Sequence, residues 1–216
     1  MKKINACLFD LDGVLVDTAI YHYKAWRRLA NELGFDFTEK DNEKLKGISR
    51  IQSLKLILEW GKIEKTPEEL QELSKKKNDR YLQMITHMQP SELLPGSREF
   101  LQELKNRGIK IALGSASKNA IIILDKTNIR HFFDAIVDGN MVQTSKPDPE
   151  VFLIGAKLLN VPPQQCVVIE DAIAGIEAAL TANMKVIGIG DKVTLKKANL
   201  VVAGLSEMTF EQLNSL

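Results

Sequence analysis

Short apolar runs, each breaking off into polar or glycine residues, punctuate the chain. They are Ala6–Phe9, Ile109–Leu113, Ala135–Val137, Val167–Ile169, Val186–Ile189 and, more weakly, Leu200–Val202. None alternates apolar with polar positions, which is the pattern of strands buried on both faces, so they predict a parallel sheet. Between them apolar residues recur at helical spacing. Phe100, Leu101 and Leu104 precede Gly108, a helix stop; Ile122, Leu124 and Ile129 follow the second run. Val151, Leu153, Ile154 and Leu158 follow the third, and Ile173, Ile176, Ala179 and Leu180 the fourth. This alternation predicts a doubly wound, Rossmann-like α/β domain.

The stretch from Thr18 to Pro90 breaks the rhythm and contains no convincing strand. Ile20, Tyr23, Trp26, Ala30 and Leu33 keep helical spacing up to Gly34, and Ile51, Leu54, Ile57 and Leu58 do so up to Gly61. Thr66-Pro67-Glu68-Glu69 reads as an N-cap, a proline at the first helical position and a capping-box glutamate. Leu70, Leu73, Tyr81 and Met84 continue that helix. The expected organisation is therefore a core domain of residues 1–16 and 91–216 with a helical cap domain, 17–90, inserted after the first strand. Asp17-Thr18 and the segment from Gln89 to Pro95 are the expected hinges.

Composition narrows the function classes. At 216 residues the chain can bury a full core. Its 29 Lys+Arg against 28 Asp+Glu leave a net charge of +1, too even to draw nucleic acid or an anionic membrane surface, so phosphate recognition has to be local. Cys7 and Cys166 have no metal-site spacing and read as buried thiols. No apolar run approaches the ~18 residues of a membrane span, and the N-terminal segment lacks a signal-peptide pattern. The expectation is a cytoplasmic monomer acting on a small molecule, without nucleic-acid or membrane partners.

Chemistry concentrates where strands end. Asp10-Leu11-Asp12-Gly13 follows the first run; carboxylates two apart on extended chain can serve one site, binding a divalent cation and dividing nucleophile from general acid/base. A calcium loop starting at Asp10 would need a closing Glu at its twelfth position, and Tyr21 stands there. The second run leads into Ser115-Ala116-Ser117-Lys118-Asn119, where a hydroxyl and backbone amides can hold a phosphate. Lys146-Pro147 follows the third, offering an ammonium to neutralise phosphate and carboxylate charge. The fourth ends in Glu170-Asp171, suited to Mg²⁺. Each is weak alone, but all four fall at the carboxyl edge of the expected sheet, where open α/β sheets bind ligands.

Together these motifs resemble the haloacid dehalogenase superfamily of phosphohydrolases and phosphomutases, across the whole chain. The resemblance implies attack on phosphorus by Asp10, acid/base catalysis by Asp12, and Mg²⁺ held by Asp10, the Asp12 backbone carbonyl, Glu170 and Asp171. The segments FDLDGVLVDTAIYHYKAW, LKGISR, KKKNDRY, SASKN and SKPDP are similar to those of its sugar phosphomutases. That further resemblance implies that Thr18 and His22 couple the cap to Asp12 and that Lys77 supports His22. It also implies that Arg50, Ser117, Lys118 and Asn119 hold the phosphate not being transferred, that Ala116 belongs to the same loop, and that Lys46, Gly47 and Ser53 face the substrate. By position alone His22 reads as a surface residue, Lys46 and Arg50 as solvated charges, and Trp26 and Trp60 as packing. Asp148 and Asp191 have no assigned role. The implied reaction moves a phosphoryl group between the 1- and 6-positions of glucose through an aspartyl-phosphate and a sugar bisphosphate. A sugar-phosphate phosphatase and a silent sugar-phosphate sensor are the alternatives.

Overall fold

The computed structural model describes residues 4–45 and 48–216. Six strands, β1 (Ala6–Phe9), β2 (Lys110–Gly114), β3 (Ala135–Val137), β4 (Cys166–Glu170), β5 (Lys185–Ile189) and β6 (Leu200–Val202), form one sheet in the order β3-β2-β1-β4-β5-β6. Every pairing is parallel. The chain thus starts in the middle of the sheet and winds outward both ways, which makes the carboxyl end of β1, between β2 and β4, the switch point where a crevice opens.

The helices are α1 (Ala19–Glu32), α2 (Glu39–Glu43), α3 (Arg50–Trp60), α4 (Pro67–Ile85), α5 (Ser97–Asn106), α6 (Ala120–Lys126), α7 (Glu150–Leu159), α8 (Ile173–Thr181) and α9 (Phe210–Asn214). Alternate strand residues feed opposite faces of the sheet. Cys7, Phe9, Ile111, Leu113, Val167 and Ile169 pack with Phe100, Leu101 and Leu104 of α5 and Ile123 of α6. Leu8, Ala112, Val168 and Val186 pack with Phe152 and Ala156 of α7 and Ile176 and Ala179 of α8. Burial on both sides is why these runs carry no polar alternation.

Helices α1 to α3 enclose a separate apolar cluster of Trp26, Leu29, Phe37, Leu54, Ile57 and Leu58. Tyr81 and Ile85 of α4, with Ala25 of α1, join the cluster on the sheet instead, so α4 ties the helical layer to the α/β body. The start of α4 follows the sequence expectation. Glu69 N–H donates to the Thr66 hydroxyl at 3.3 Å and Thr66 N–H to the Glu69 carboxylate at 2.9 Å, with Pro67 in the first turn. Such a cap stabilises a helix by about 1 kcal/mol.

Two local differences from the sequence reading have clear causes. Helix α6 ends before Ile129, because Asn128 turns left-handed at φ 54° and Ile129 N–H returns to the Leu124 carbonyl; Ile129 is buried as part of this stop. Helix α2 has no apolar stripe to announce it: its one buried residue is Asn42, and the Thr38/Asp41 capping box starts it. The two links between body and helical layer run side by side, with Leu94 N–H donating to the Leu15 carbonyl at 2.9 Å and the Ser97 hydroxyl to the same oxygen at 3.2 Å. Among the described residues no helix is long and apolar enough to cross a membrane.

Candidate active site

Asp10 is the first residue beyond β1, and its N–H donates to the Ile169 carbonyl of β4, which anchors it at the switch point. Lys146, on the loop after β3, reaches back between two carboxylates: its Nζ donates to Asp10 Oδ1 at 2.5 Å and Glu170 Oε1 at 2.7 Å, and all three residues are buried. Glu170 Oε2 accepts the Ala172 N–H at 2.8 Å. A β-carbon on Gly13, whose φ is 81°, would run into the Asp171 carboxylate, and one on Gly175 into the Glu170 side chain. Oxygens of Asp10, Glu170 and Asp171 lie within 4.8 Å of one another. This is an oxygen donor set that fits a hard divalent cation. The Asp12 carboxylate is not in that group; it accepts a hydrogen bond from the Thr18 hydroxyl.

Ser115 directly follows β2 and is buried. Its Oγ accepts the Ser117 N–H at 3.1 Å, and Ser117 Oγ accepts the Asn119 N–H at 3.3 Å, so the loop is wound by its own hydroxyls. Ser115, Ala116, Ser117, Lys118 and Asn119 line one cavity of about 510 Å³ with Asp10, Asp12, Glu170 and Asp171. Its opposite wall comes from the helical layer, including His22, Arg50, Ser53 and Lys77. Arg50 opens α3 after the Ser49 cap, half-buried, and forms no ion pair with a described residue. Ser53 lies a turn further on and is buried. Lys46 and Gly47 lie outside the described residues.

A family assignment follows from comparison with known sequences, since the haloacid dehalogenase-like hydrolase family matches residues 7–189. The chain belongs to the haloacid dehalogenase-like hydrolases. Within that family it is 45% identical over 213 residues to a β-phosphoglucomutase of Bacillus subtilis (strain 168), covering 98% of this chain and 94% of that one. The crystal structure of a β-phosphoglucomutase from Clostridium difficile superposes with a TM-score of 0.94 at 47% identity, covering 98% of this chain and 96% of that chain. A phosphorylated carbohydrates phosphatase of Thermotoga maritima is 33% identical over 187 residues, 84% of this chain and 83% of its own length.

Electrostatics divide the site of this haloacid dehalogenase-like hydrolase in two. Burial pushes the Asp10 carboxyl up to about 7; Lys146 opposes that, while Glu170 and Asp12 add to it. Burial likewise raises Asp12, against the Thr18 hydrogen bond. Burial also works against the charge on Lys146, but Asp10 and Glu170 outweigh it and raise its pKa. On the helical side, Lys77 Nζ sits 2.7 Å from His22 Nδ1, 4.5 Å from the Trp26 ring centre and 4.8 Å from that of Tyr81. Burial, then the charges of Lys77 and Arg50, holds His22 well below its usual range. Burial and Arg50 do the same to Lys77, partly offset by Asp12.

Some participants escape sequence reasoning. The buried Tyr81 hydroxyl donates to Thr18 Oγ1 at 3.2 Å and its ring lies 4.2 Å from His22. Trp26 is a packing residue as expected, but it also walls the cavity. The available signal was spacing: Trp26 is four residues from His22 and Tyr81 four from Lys77, neighbours on their helices. Glu150 accepts the N–H groups of Gln143 and Thr144 at 2.9 and 2.7 Å and so orders the approach to Lys146. Asp148 accepts the Glu150 N–H at 2.9 Å in the turn that leads into α7, and Asp191 accepts the Thr194 N–H at 2.6 Å, local structural contacts for both.

Proposed function

We propose that this protein acts as a β-phosphoglucomutase, interconverting β-glucose 1-phosphate and glucose 6-phosphate. The observation that carries the reading is a cavity with cations on two walls: Lys146 beside Asp10 and Ser115 against the sheet, and Arg50, without a carboxylate partner among the described residues, on the other wall. A phosphatase needs only the first. A mutase has to hold the second phosphate while the first is transferred.

Asp10, the Asp12 main-chain carbonyl, Glu170 and Asp171 would hold Mg²⁺, which when bound supplies the positive charge that lets a phosphate dianion approach a carboxylate. The raised Asp10 pKa and the convergence of the Asp10, Glu170 and Asp171 carboxylates are what such an ion would relieve. The Asp10 carboxylate forms the new bond to phosphorus as the bond to the sugar oxygen breaks, and Asp12 gives that oxygen its proton. In the return direction Asp12 takes the proton from a sugar hydroxyl, which attacks the phospho-aspartate. Lys146 and the Ser115 hydroxyl hold the transferring oxygens. Arg50, through the two parallel donors of its guanidinium, holds the distal phosphate with Ser117, Lys118 and Asn119. The β-glucose 1,6-bisphosphate then rebinds with its ends exchanged.

Residues 17–90 act as the cap in this reading, with Lys46, Gly47 and Ser53 facing the sugar. Thr18, tied to Asp12, and His22, tied to Lys77, make cap closure and acid/base alignment one event. Closure that needs a sugar favours transfer to sugar over water. The phosphatase reading draws support from the Thermotoga maritima relative. A coupled assay for glucose 6-phosphate from β-glucose 1-phosphate, primed with the bisphosphate and run beside a phosphate-release assay, separates the two. Isomerisation outpacing phosphate release supports the mutase; phosphate release alone supports the phosphatase. Running it with Mg²⁺ and other divalent cations in turn identifies the metal.

A further inference from the structure

Beyond Ser74, which lines the cavity, helix α4 makes polar contacts around the site through Lys77, Asn78 and Tyr81. Lys77 meets His22, Tyr81 meets Thr18, and Asn78, which does not itself line the cavity, accepts a hydrogen bond at 2.9 Å on its side-chain oxygen from Asn119 Nδ2. The last contact joins the helical layer to the sheet-side loop that begins at Ser115, and α4 packs against α6 at that point. Both asparagines are partly buried, so the bond is partly shielded from water.

A primary amide nitrogen carries two protons in one plane, set at a fixed angle. When Asn78 takes one, the plane of the Asn119 amide is fixed and the second proton has one direction left. Asn119 lines the cavity, and its backbone is already pinned by Ser117 Oγ. The side chain is therefore the remaining freedom, and Asn78 removes it. We propose that Asn78 is a positioning residue: from the cap side it fixes the Asn119 amide so that its second N–H meets the distal phosphate of the substrate. The contact joins α4 to the loop, so the distal site draws on both walls of the cavity. This rests on the mutase reading of the site.

A neutral hydrogen bond of this kind carries a small net free energy, so Asn78→Ala is expected to lower kcat/KM for β-glucose 1-phosphate roughly fivefold. Asn78 sits within a helix, where alanine is favourable, and the variant should melt within a degree or two of the wild type. The deciding measurement is a double-mutant cycle on kcat/KM with Asn78→Ala, Asn119→Ala and both. If Asn78 acts through Asn119, its removal in the Asn119→Ala background costs nothing further. Additive losses, or an unchanged kcat/KM in Asn78→Ala, overturn the proposal while the mutase reading stands. A wild type that fails to isomerise β-glucose 1-phosphate overturns both.

Discussion

The two walls of the cavity are built on different terms. On the sheet side, Asp10, Ser115, Lys146 and Glu170 are all buried, sit at strand ends or the loops that follow, and Lys146 joins two carboxylates at 2.5 and 2.7 Å. On the helical side, Arg50 is half-buried with no ion-pair partner among the described residues, and a single amide–amide bond links Asn78 to Asn119. Buried charges are costly to leave uncompensated, so the first wall tolerates little change. The second carries a buried cation of its own, Lys77, and is anchored through Tyr81 and Ile85 of α4, but its polar link to the Ser115 loop through Asn78 is a neutral bond worth about 1 kcal/mol. In the proposed mutase, bond-making falls to the first wall and recognition of the far end of the substrate to the second.

Substitutions should obey that division. The largest effect is expected for Asp10→Asn, which removes the proposed nucleophile and should abolish turnover and any phospho-enzyme. The same variant tests the burial of Asp10. Its folded pKa of about 7 lies above the ordinary 3.8, so without divalent metal its contribution to stability is intact below the lower value and lost as pH rises through the upper one. Asparagine does not titrate, and Asp10→Asn should therefore gain stability relative to the wild type from about pH 4 to pH 7. Urea unfolding of both proteins across that range measures it; a flat difference would contradict the account.

Next in size is Asp12→Asn, expected to slow transfer by about 10²–10⁴-fold while divalent-metal affinity, read by calorimetry, stays close to wild type. A large loss of metal binding would move the Asp12 carboxylate into the metal shell. On the other wall, Arg50→Lys keeps the charge and loses the paired donors, so kcat/KM for the sugar phosphate should fall by roughly tenfold. Hydrolysis of acetyl phosphate, which has no distal phosphate, should be unaffected; an equal fall in both would place Arg50 with the bond-making wall. The smallest change is expected for His22→Ala, a few-fold rise in hydrolysis relative to isomerisation as closure loosens its grip on Asp12. An unchanged ratio would disconnect His22 from closure.

The same division governs what was legible in the sequence. Asp10, Ser115 and Glu170 stand where apolar runs stop, so finding the strands finds them, and the sheet edge brings them together with Lys146. Tyr81 and Asn78 sit in a long amphipathic helix, where an aromatic reads as packing and an asparagine as surface. Their partners, Thr18 and Asn119, lie 63 and 41 residues away, and no local pattern encodes that pairing. Arg50 and the His22–Lys77 pair were visible only through resemblance to known phosphomutases. Helix α2 leaves no apolar pattern in the sequence because its buried residue is Asn42.

The central claim is that a phosphoryl group rests on Asp10 and leaves it for a sugar rather than for water. Its most direct test is to phosphorylate the enzyme with isotopically labelled acetyl phosphate, locate the label by peptide mass analysis, and follow its departure with and without glucose 1-phosphate. The expected result is label on the Asp10 peptide that passes into glucose bisphosphate many times faster than it appears as inorganic phosphate. Label on another residue, or release to water at the same rate whether or not sugar phosphate is present, would contradict it.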